Sequence, residues 1–272
     1  IGGDIVAGIV YSKMTEKKEL SLLLDIGTNN EMVLGNKDFL YCTSAAAGPA
    51  LEGAKITQGM RAANGAIDSV AISGNDLTVT VIGNIPAKGI CGSGLVDAVA
   101  EMLKSGVITK SGKFNKPENL DNSKLATRLR GTKASEMTFT LFEKTEEDNE
   151  YNVSLRQKDV REVQLAKGAI ATGIELLLKE TGHSINDIDN IYIAGAFGNY
   201  LNFEKAIKIG ILPEIQREKI YALGNSAGLG ACSFLSEENL WEKAKVVMEK
   251  AKLLELPTHK DFQDAFVRNL SF

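Results

Sequence analysis

The sequence is poor in the side chains that hold transition metals and iron–sulfur clusters. Its 272 residues include only two histidines, His183 and His259, and three cysteines, Cys42, Cys91 and Cys232. Because the cysteines are scattered without a C-x-x-C pair, they cannot by themselves supply a four-thiolate cluster or zinc site. Two histidines also argue against histidine-based metal or triad chemistry. This sparse cysteine usage suits a reducing compartment, and we expect a cytoplasmic protein.

Basic clusters, long apolar runs and a leader segment are also missing. The sequence has 31 lysines and arginines against 35 aspartates and glutamates, and its formal net charge is -4. This balance argues against a nucleic-acid-binding surface. No apolar run is long enough to span a bilayer, and no charged-then-apolar signal segment opens the chain. The chain begins on Ile1-Gly2-Gly3-Asp4 without an initiator methionine and in the middle of a pattern. We therefore expect a piece of a longer protein.

The most informative stretch that the sequence does contain is residues 21–35. Four residues of apolar strand run into Asp25, and the strand pattern resumes after a short polar turn. The run places the Asp25 carboxylate at a strand tip, where it can face Mg²⁺ directly or through water. Gly27 lets backbone amides approach anionic oxygens, and Thr28 and Asn29 add hydrogen-bonding side chains. The stretch predicts a phosphate-binding hairpin, with ordinary turn chemistry as the alternative.

Glycine-rich turns also follow two later predicted strands. Residues 190–194 form a buried strand pattern that ends in Gly195-Ala196-Phe197-Gly198, and residues 220–223 form another that ends in Gly224. Glycines at the carboxyl ends of successive strands mark the ligand-binding edge of an open α/β sheet. Together with the tip at Asp25, three strand tips could converge on one ligand.

Helical patterns are clearest in the second half of the chain. Residues 160–179 carry apolar side chains at intervals of three and four, which predicts the strongest helix. The last residues predict a C-terminal helical cap over about 237–272. Within that cap we expect helices at 237–254 and 260–266, with Trp241 packed there.

Alternating residues predict two inserted β-hairpins, at about residues 68–84 and 136–156. The second hairpin contains an acidic turn at residues 145–150, which we expect to be solvated. Near the start of the chain, residues 4–14 predict a short helix with small residues on one face. The two hairpins do not include any of the strands that precede the predicted ligand-binding turns.

Two further segments rich in small residues have competing interpretations. Residues 45–53, Ala-Ala-Ala-Gly-Pro-Ala-Leu-Glu-Gly, are equally consistent with a second lip of the site and with tight packing at a helix start. The glycines of residues 89–94 precede a predicted helix and could bind an anion through free amides. Their spacing does not match the dinucleotide or Walker patterns, and Cys91 among them is more simply a small buried residue.

The order of elements is that of the ribonuclease-H-like fold: three antiparallel strands and a helix, then strand, helix, strand and helix, with inserted hairpins. This order resembles the superfamily of ATPases that contains actin, the sugar kinases and heat-shock protein 70. The resemblance implies an α/β fold, with a mixed sheet flanked by helices, in one ATPase-type domain over residues 1–272. Members of that superfamily hold the nucleotide between two such halves. Asp25-Ile26-Gly27-Thr28-Asn29 resembles their phosphate hairpin, and Gly195-Ala196-Phe197-Gly198 resembles their adenosine turn.

Five blocks narrow the resemblance to one family. The blocks are Asp25-Ile26-Gly27-Thr28-Asn29, residues 45–53, Gly89-Ile90-Cys91-Gly92-Ser93-Gly94, Gln157-Lys158-Asp159 and Ala194-Gly195-Ala196-Phe197-Gly198. In this order they resemble the C-terminal ATPase region of the reductive activators of corrinoid-dependent enzymes, over nearly the whole chain. The resemblance implies a longer protein whose amino-terminal [2Fe-2S] domain passes an electron to cob(II)amide. The resemblance further implies that ATP binding or hydrolysis in this region makes the uphill reduction possible. The reduction restores cob(I)amide in a corrinoid protein or methyltransferase partner.

The resemblance also implies the cofactors and site residues of this chain. The cofactors are ATP and Mg²⁺, and the ferredoxin cysteines of the [2Fe-2S] domain are absent. The implied site residues are Asp25 as the catalytic and magnesium-binding carboxylate, Gly27, Thr28 and Asn29 around the phosphates, and Gly195, Ala196 and Gly198 against the adenosine.

Only one acid-Gly-Thr block is present, whereas the superfamily has one in each half. We therefore expect weak or no ATPase activity from the isolated chain. An apolar face that the other half would cover could also favour a homodimer. Two alternative functions stay open. One is a small-metabolite kinase, for which the sequence offers no convincing catalytic base and leaves Asp159 as the remaining candidate. The other is a nucleotide-free module that docks on the corrinoid protein.

Overall fold

The computed structural model describes residues 2–121, 123–143 and 152–272 of the chain. Within these residues the α-helices are α1 (Gly3–Ser12), α2 (Gly92–Lys104), α3 (Ser123–Arg128), α4 (Gln157–Thr181), α5 (Phe203–Lys208), α6 (Ser226–Ser236), α7 (Leu240–Lys250) and α8 (Phe262–Arg268). The β-strands there are β1 (Ser21–Asp25), β2 (Glu31–Gly35), β3 (Leu40–Ser44), β4 (Ala66–Ser73), β5 (Asp76–Val81), β6 (Gly89–Ile90), β7 (Leu129–Arg130), β8 (Thr138–Phe142), β9 (Val153–Arg156), β10 (Asn190–Ala194), β11 (Ile220–Gly224) and β12 (Ala251–Leu253). The acidic turn predicted at residues 145–150 lies outside the described residues.

The chain folds into two compact units, each built from three separate segments. The first unit contains Ile1–Ala47, Ala169–Phe203 and Pro213–Val267. The second unit contains the three segments between and after these, Gly48–Gly168, Glu204–Leu212 and Arg268–Phe272. One boundary falls inside α4, and the predicted phosphate hairpin belongs entirely to the first unit.

A six-stranded mixed sheet forms the centre of the first unit, in the order β11-β10-β1-β2-β3-β12. Strands β1, β2 and β3 are antiparallel neighbours, β10 and β11 continue the sheet in parallel beyond β1, and β12 pairs in parallel with β3. Leu22, Leu23 and Leu24 of β1 are all buried. A strand covered on both faces requires a continuous apolar run, which explains the unalternating pattern of β1. The predicted mixed sheet is confirmed.

Helices α1 and α7 contribute to the core on one side of this sheet. Ile5 and Ile9 of α1 and Val247 of α7 share one buried cluster with Leu23 of β1 and Val33 of β2. Ile5 and Ile9 are four residues apart and therefore lie on the same face of α1. Replacing Ile9 by alanine would cost about 2–5 kcal/mol of stability, because it leaves a cavity in this cluster.

The second unit contains two three-stranded sheets, β5-β4-β6 and β7-β8-β9. Strand β4 pairs antiparallel with β5, and β8 pairs antiparallel with β9. Helix α2 packs on β4. Its Leu95, Val99 and Met102 are fully buried, and their spacing of four and three places them on one face. The helix predicted to follow the glycines of residues 89–94 is therefore confirmed.

Helix α4 is the longest helix, at 25 residues. Asp159 in its first turn accepts a hydrogen bond from the Arg156 amide at 2.8 Å through Oδ2, which caps the helix start. The helix predicted at residues 160–179 is confirmed and extends by a few residues at each end. No helix in the described part of the chain is both long and apolar enough to cross a membrane.

Lys167 of α4 is a buried cation in the second unit. Its side chain is almost entirely covered, at 4% exposure. Its Nζ donates to the main-chain oxygen of Ser271 and lies 6.0 Å from the ring centre of Phe272. Burial lowers the pKa of Lys167 to about 8, because the charged form loses hydration.

The C-terminal region differs from the sequence-based expectation in two respects. The helix predicted at residues 237–254 ends at Lys250, and Ala251–Leu253 forms β12 instead. These residues pair with the exposed edge of β3, and this long-range pairing overrides the local helical pattern. Trp241 was expected to pack in the cap, but it is 61% exposed and contacts Phe234 edge-on, with ring centres 5.1 Å apart.

Candidate nucleotide site

Strands β1 and β10 place Asp25 beside the glycine-rich turn that follows β10. Asp25 is the last residue of β1 and is in parallel register with Ala194, the last residue of β10. The Ile26 amide donates to the Ala194 oxygen at 3.3 Å, which closes the pairing at this edge. The Asp25 carboxylate is half-buried. The prediction that it stands at a strand tip is confirmed.

The turn after Asp25 contains the predicted phosphate-binding residues. Gly27 is half-buried, and Thr28 and Asn29 are exposed. The chain then enters β2 through Asn30, whose backbone is left-handed at φ +47°. A turn with little side-chain bulk and with hydroxyl and amide groups can present several donors to one anionic oxygen. This arrangement fits a phosphate group.

Gly195 comes within contact distance of Asp25. Its φ is +90°, a conformation that glycine adopts without strain. A Cβ built on Gly195 would lie 3.0 Å from Asp25 Oδ1 and also 3.0 Å from the Ile26 oxygen. At Gly198, a Cβ would lie only 2.6 Å from Cγ2 of Ile193. Glycine is therefore required at both positions, because larger residues would displace the turn or the neighbouring strand.

The end of β11 continues the same sheet edge. The Gly195 amide donates to the Gly224 oxygen at 2.9 Å. Gly224 has φ +64°, and a Cβ there would lie 3.2 Å from Nδ2 of the Asn199 side chain. Helix α6 begins directly afterwards and is capped by Asn225, whose Oδ1 accepts from the Gly228 amide at 2.9 Å. The carboxyl ends of β1, β10 and β11 thus lie side by side. Asp25 is the last residue of β1, and the other predicted site residues are on the turns after β1 and β10.

The electrostatic environment of Asp25 is unfavourable for a negative charge. Burial is the largest cause that raises the pKa of Asp25, followed by the nearby carboxylates of Glu31 and Asp4. Glu31 is the residue opposite Asp25 in the antiparallel pairing of β1 with β2. A cation bound at this edge would offset both the repulsion and the loss of hydration.

The side chains present fit Mg²⁺ held together with a nucleotide better than they fit a dedicated metal site. Mg²⁺ is commonly bound through one or two carboxylates together with phosphate oxygens and water. No group of three or more histidine, cysteine or carboxylate side chains arranged to hold a metal occurs among residues 2–121, 123–143 and 152–272. Asp25 would supply one carboxylate to such a cation, and the other ligands would have to come from phosphate oxygens and water. Gly195 places no side chain of its own beside that carboxylate.

Sequence reasoning did not single out Glu31 and Asp4 as neighbours of Asp25. The position of Glu31 could have been inferred, because a tight hairpin places residues symmetrically about the turn opposite each other. Asp4 lies in the first turn of α1, and its proximity depends on how α1 packs in the first unit. No local pattern in the sequence signals that proximity.

Gly89 and Gly94, two of the three glycines in residues 89–94, are accounted for by packing in the second unit. A Cβ on Gly89 would lie 2.6 Å from the Gln58 oxygen, and a Cβ on Gly94 would lie 2.2 Å from the Ile67 oxygen. Both glycines therefore allow close backbone contact. This favours the packing interpretation of the segment over anion binding.

Asp159, the candidate base of the kinase alternative, is fully buried. Its Oδ1 accepts from the amide and from the hydroxyl of Thr57, both at 2.8 Å, and its Oδ2 accepts from the Arg156 amide. Donors of the chain itself occupy both oxygens. This arrangement is that of a structural acceptor at a helix start, and it does not present a base to a substrate hydroxyl.

The sheet topology, with glycine-rich turns after β1 and β10 and an acid at the tip of β1, is that of an actin-like ATPase domain. A comparison with protein families gives the particular family. The family described as the C-terminal domain of RACo, the ASKHA domain, matches residues 19–272. The chain belongs to this family.

Two relatives are similar over the whole chain. The chain is 38% identical over 272 residues to "Corrinoid activation enzyme RamQ" of Eubacterium limosum, covering 100% of this chain and 46% of the relative. It is 31% identical over 301 residues to "[Co(II) methylated amine-specific corrinoid protein] reductase" of Methanosarcina barkeri, covering 100% of this chain and 49% of the relative. The chain thus spans just under half the length of these curated relatives.

A solved structure described as "Reductive activator for corrinoid,iron-sulfur protein" has the same fold. It aligns with a TM-score of 0.89 at 38% sequence identity, over 100% of this chain and 42% of that chain. The predicted fold class and the family resemblance are therefore confirmed. The assignment of roles to individual site residues rests on the geometry described above, because the comparisons identify the family and the fold.

Proposed function

We propose that this chain binds Mg²⁺-ATP at the sheet edge of the first unit. The observation that carries the proposal is the adjacency of Asp25 and Gly195, where an added Cβ would lie 3.0 Å from Asp25 Oδ1. A carboxylate and a turn without side-chain bulk therefore border the same space. Membership of the actin-like ATPase family supports the ligand class.

In this proposal each turn contacts a different part of the nucleotide. Asp25 holds and orients the cation, directly or through a bound water. Mg²⁺, when bound, neutralises charge on the phosphates. The residues that contact the nucleotide are Gly27, Thr28 and Asn29 at the phosphates and Gly195, Ala196 and Gly198 at the adenosine. Positioning and charge stabilisation, without a protein nucleophile, are sufficient for phosphoryl chemistry of this kind.

We further propose that nucleotide binding serves the reductive activation of a corrinoid protein. The names of the relatives, a corrinoid activation enzyme and a corrinoid protein reductase, support this role. One electron would reduce cob(II)amide to cob(I)amide in a methyltransferase partner. The electron would come from a [2Fe-2S] cluster that is not held by the cysteines of this chain. The cytoplasmic location and the homodimer stay predictions from the sequence.

Thermal unfolding with and without millimolar Mg²⁺-ATP tests nucleotide binding. A ligand that binds only the native state raises the free energy of unfolding, by about 2.7 kcal/mol at a hundredfold excess over its dissociation constant. We expect a stabilisation that requires Mg²⁺ and disappears in Asp25→Asn. Asp38→Asn is the matched control, because Asp38 is an exposed carboxylate of the same unit that pairs with Lys37. The control should keep the full stabilisation.

Other outcomes separate the alternatives. Full stabilisation of Asp25→Asn would contradict the assignment of Asp25. No stabilisation of the wild-type chain would contradict nucleotide binding by this chain alone and would favour the docking module. In a protein that also carries the iron–sulfur domain, Asp25→Ala should abolish ATP-stimulated corrinoid reduction while leaving the fold intact.

A further inference from the structure

Asn30 is an unusual residue at the start of β2. Its backbone is left-handed at φ +47°, and it is only 1% exposed. Its side-chain Oδ1 is a buried atom without a hydrogen-bond partner among the described residues. Most buried side-chain oxygens in native proteins are hydrogen-bonded, and exceptions occur where strain has a function. Asn30 follows directly on the turn that is proposed to bind phosphate.

Three hydrogen bonds connect this turn to residues 44–47, the segment that begins at the end of β3. The Asn30 oxygen accepts from the Ala45 amide at 3.2 Å, and Asn30 Nδ2 donates to the Ala45 oxygen at 3.4 Å. The Ser44 hydroxyl donates to the Asn29 oxygen at 3.2 Å. A movement of the turn would therefore be transmitted to residues 44–47.

The 44–47 segment is itself tightly bent. The Ala47 amide donates to the Ala45 oxygen at 2.7 Å, which is the hydrogen bond of a three-residue γ-turn. Ala47 is also the last residue of the first segment of unit one, and Gly48, with φ +74°, is the first residue of unit two. A glycine at a segment end readily absorbs a change in backbone angles. The 44–47 segment thus connects the phosphate turn with the point where the chain leaves its unit.

Asn30 is energetically costly in the arrangement that the structure shows. A buried acceptor without a donor is destabilising, because it loses its hydration and gains no hydrogen bond in return. A left-handed backbone at a residue other than glycine adds to this cost, although asparagine tolerates it better than most residues. A change in the turn that supplies Oδ1 with a donor would recover part of this energy. Ligand binding at the turn can select such a change only by binding one arrangement more strongly than the other.

We propose that Asn30 is a positioning residue that couples phosphate occupancy of the Gly27–Asn29 turn to the conformation of residues 44–47. The inference rests on the proposed nucleotide binding. It names Asn30 as the residue that transmits the conformational effect of that binding. Phosphate binding draws the amides of the turn toward the ligand. Asn30 carries this shift through its side chain and main chain to Ala45, and the γ-turn passes it to Gly48.

Hydrogen exchange of the purified protein, with and without saturating Mg²⁺-ATP, tests this coupling. In the wild type we expect the nucleotide to slow exchange by about fivefold or more both in the turn and in residues 44–47. Asn30→Gly keeps the left-handed backbone and removes the side chain. In this variant the turn should still respond to Mg²⁺-ATP, and the response of residues 44–47 should be clearly reduced, because the side-chain bond to Ala45 is lost while the main-chain bond remains. A merely structural asparagine would change stability without separating the two responses.

Ser44→Ala gives a second test. Because Ser44 is exposed, this substitution should not disturb the packing of the core. It removes the bond to Asn29 and should reduce the response of residues 44–47 while the turn responds normally. Ser236→Ala is the control, since its hydroxyl makes a similar bond, to the Ser233 oxygen, at the end of α6. An undiminished response of residues 44–47 in a folded Asn30→Gly protein overturns the coupling. If Asn30→Gly does not fold, an undiminished response in Ser44→Ala overturns it. An unchanged turn in the wild type contradicts nucleotide binding instead.

Discussion

Asp25 and Glu31 face each other across β1 and β2 as an antiparallel pair of like charge. Like charges directly opposite each other destabilise a sheet. The Glu31 carboxylate contributes to the raised pKa of Asp25, after burial, which is the larger cause. The pair is therefore costly without a bound cation. A cation bound beside Asp25 would offset this repulsion, and in the proposed site that cation is the Mg²⁺ that accompanies the nucleotide.

Replacing Glu31 by glutamine should lower the pKa of Asp25, because it removes a neighbouring negative charge at nearly constant shape. Since burial remains, the pKa should stay above its ordinary value. Carbon-13 NMR titration of the Asp25 carboxyl measures the change. Asp4→Asn should lower the same pKa by a smaller amount, because Asp4 is the weaker of the two carboxylate influences. An unchanged pKa in both variants would show that burial alone controls Asp25.

The raised pKa of Asp25 also predicts a pH dependence with a definite sign. The native state holds this proton more tightly than the unfolded state, and the contribution of Asp25 to stability therefore falls as pH rises through the native pKa. Asp25→Asn should accordingly be more stable than the ligand-free wild type at neutral pH and should lose the decline. Urea unfolding at a series of pH values from about 3 to about 7, which include the ordinary carboxyl pKa, measures the stability of both proteins and its change with pH. Lower stability of the variant at neutral pH would contradict the assignment.

Replacing Gly195 by alanine should destabilise the protein by about 1–3 kcal/mol and abolish nucleotide binding. The added Cβ would occupy a strained backbone position and press on the Asp25 carboxylate and the Ile26 oxygen. Gly182→Ala is the matched control: its φ is +70°, but nothing lies within 4 Å of the added Cβ. The control should lose stability through backbone strain and retain the Mg²⁺-ATP stabilisation. Equal nucleotide binding by both variants would rule out a site at the β10 turn.

Replacing Asp159 by alanine should cost about 2–4 kcal/mol, because it removes a helix cap and leaves the donors of Thr57 and Arg156 without their acceptor. Chemical denaturation measures the loss. Asp76→Ala, at an exposed ion pair with Lys124 in the same unit, should change stability by less than about 1 kcal/mol. Kinase activity abolished by Asp159→Asn at wild-type stability would instead revive the catalytic-base alternative.

The buried Lys167 predicts a pH dependence in the alkaline range. Its native pKa of about 8 lies below the ordinary value of 10.5, and the unfolded state therefore binds this proton more tightly. Stability from this group should rise as pH increases from about 8 toward 10.5. Lys167→Met should remove the rise. Lys245→Met, at an exposed lysine, should retain it.

Local sequence patterns predicted the structure well where neighbouring residues decide it. The apolar run of β1 stops at Asp25, and the strand ends there because the next residues form a turn. The amphipathic spacing of α2 and α4 depends on the helical repeat, which is a property of the chain itself. The pattern failed at residues 251–253, where the edge of β3 provides backbone partners that a helix would not use.

The sequence by itself thus determined the strand tip at Asp25, the glycine-rich turns and the order of elements, because each depends on residues close together in the chain. Tertiary structure alone decided that Gly195 lies against Asp25, a pairing of residues far apart in sequence through parallel β1 and β10. It also brought Asp4 near the same carboxylate and buried Asn30 where no donor among the described residues reaches its Oδ1. These features depend on packing distances of a few ångströms, and no pattern of residue types specifies distances between separate elements.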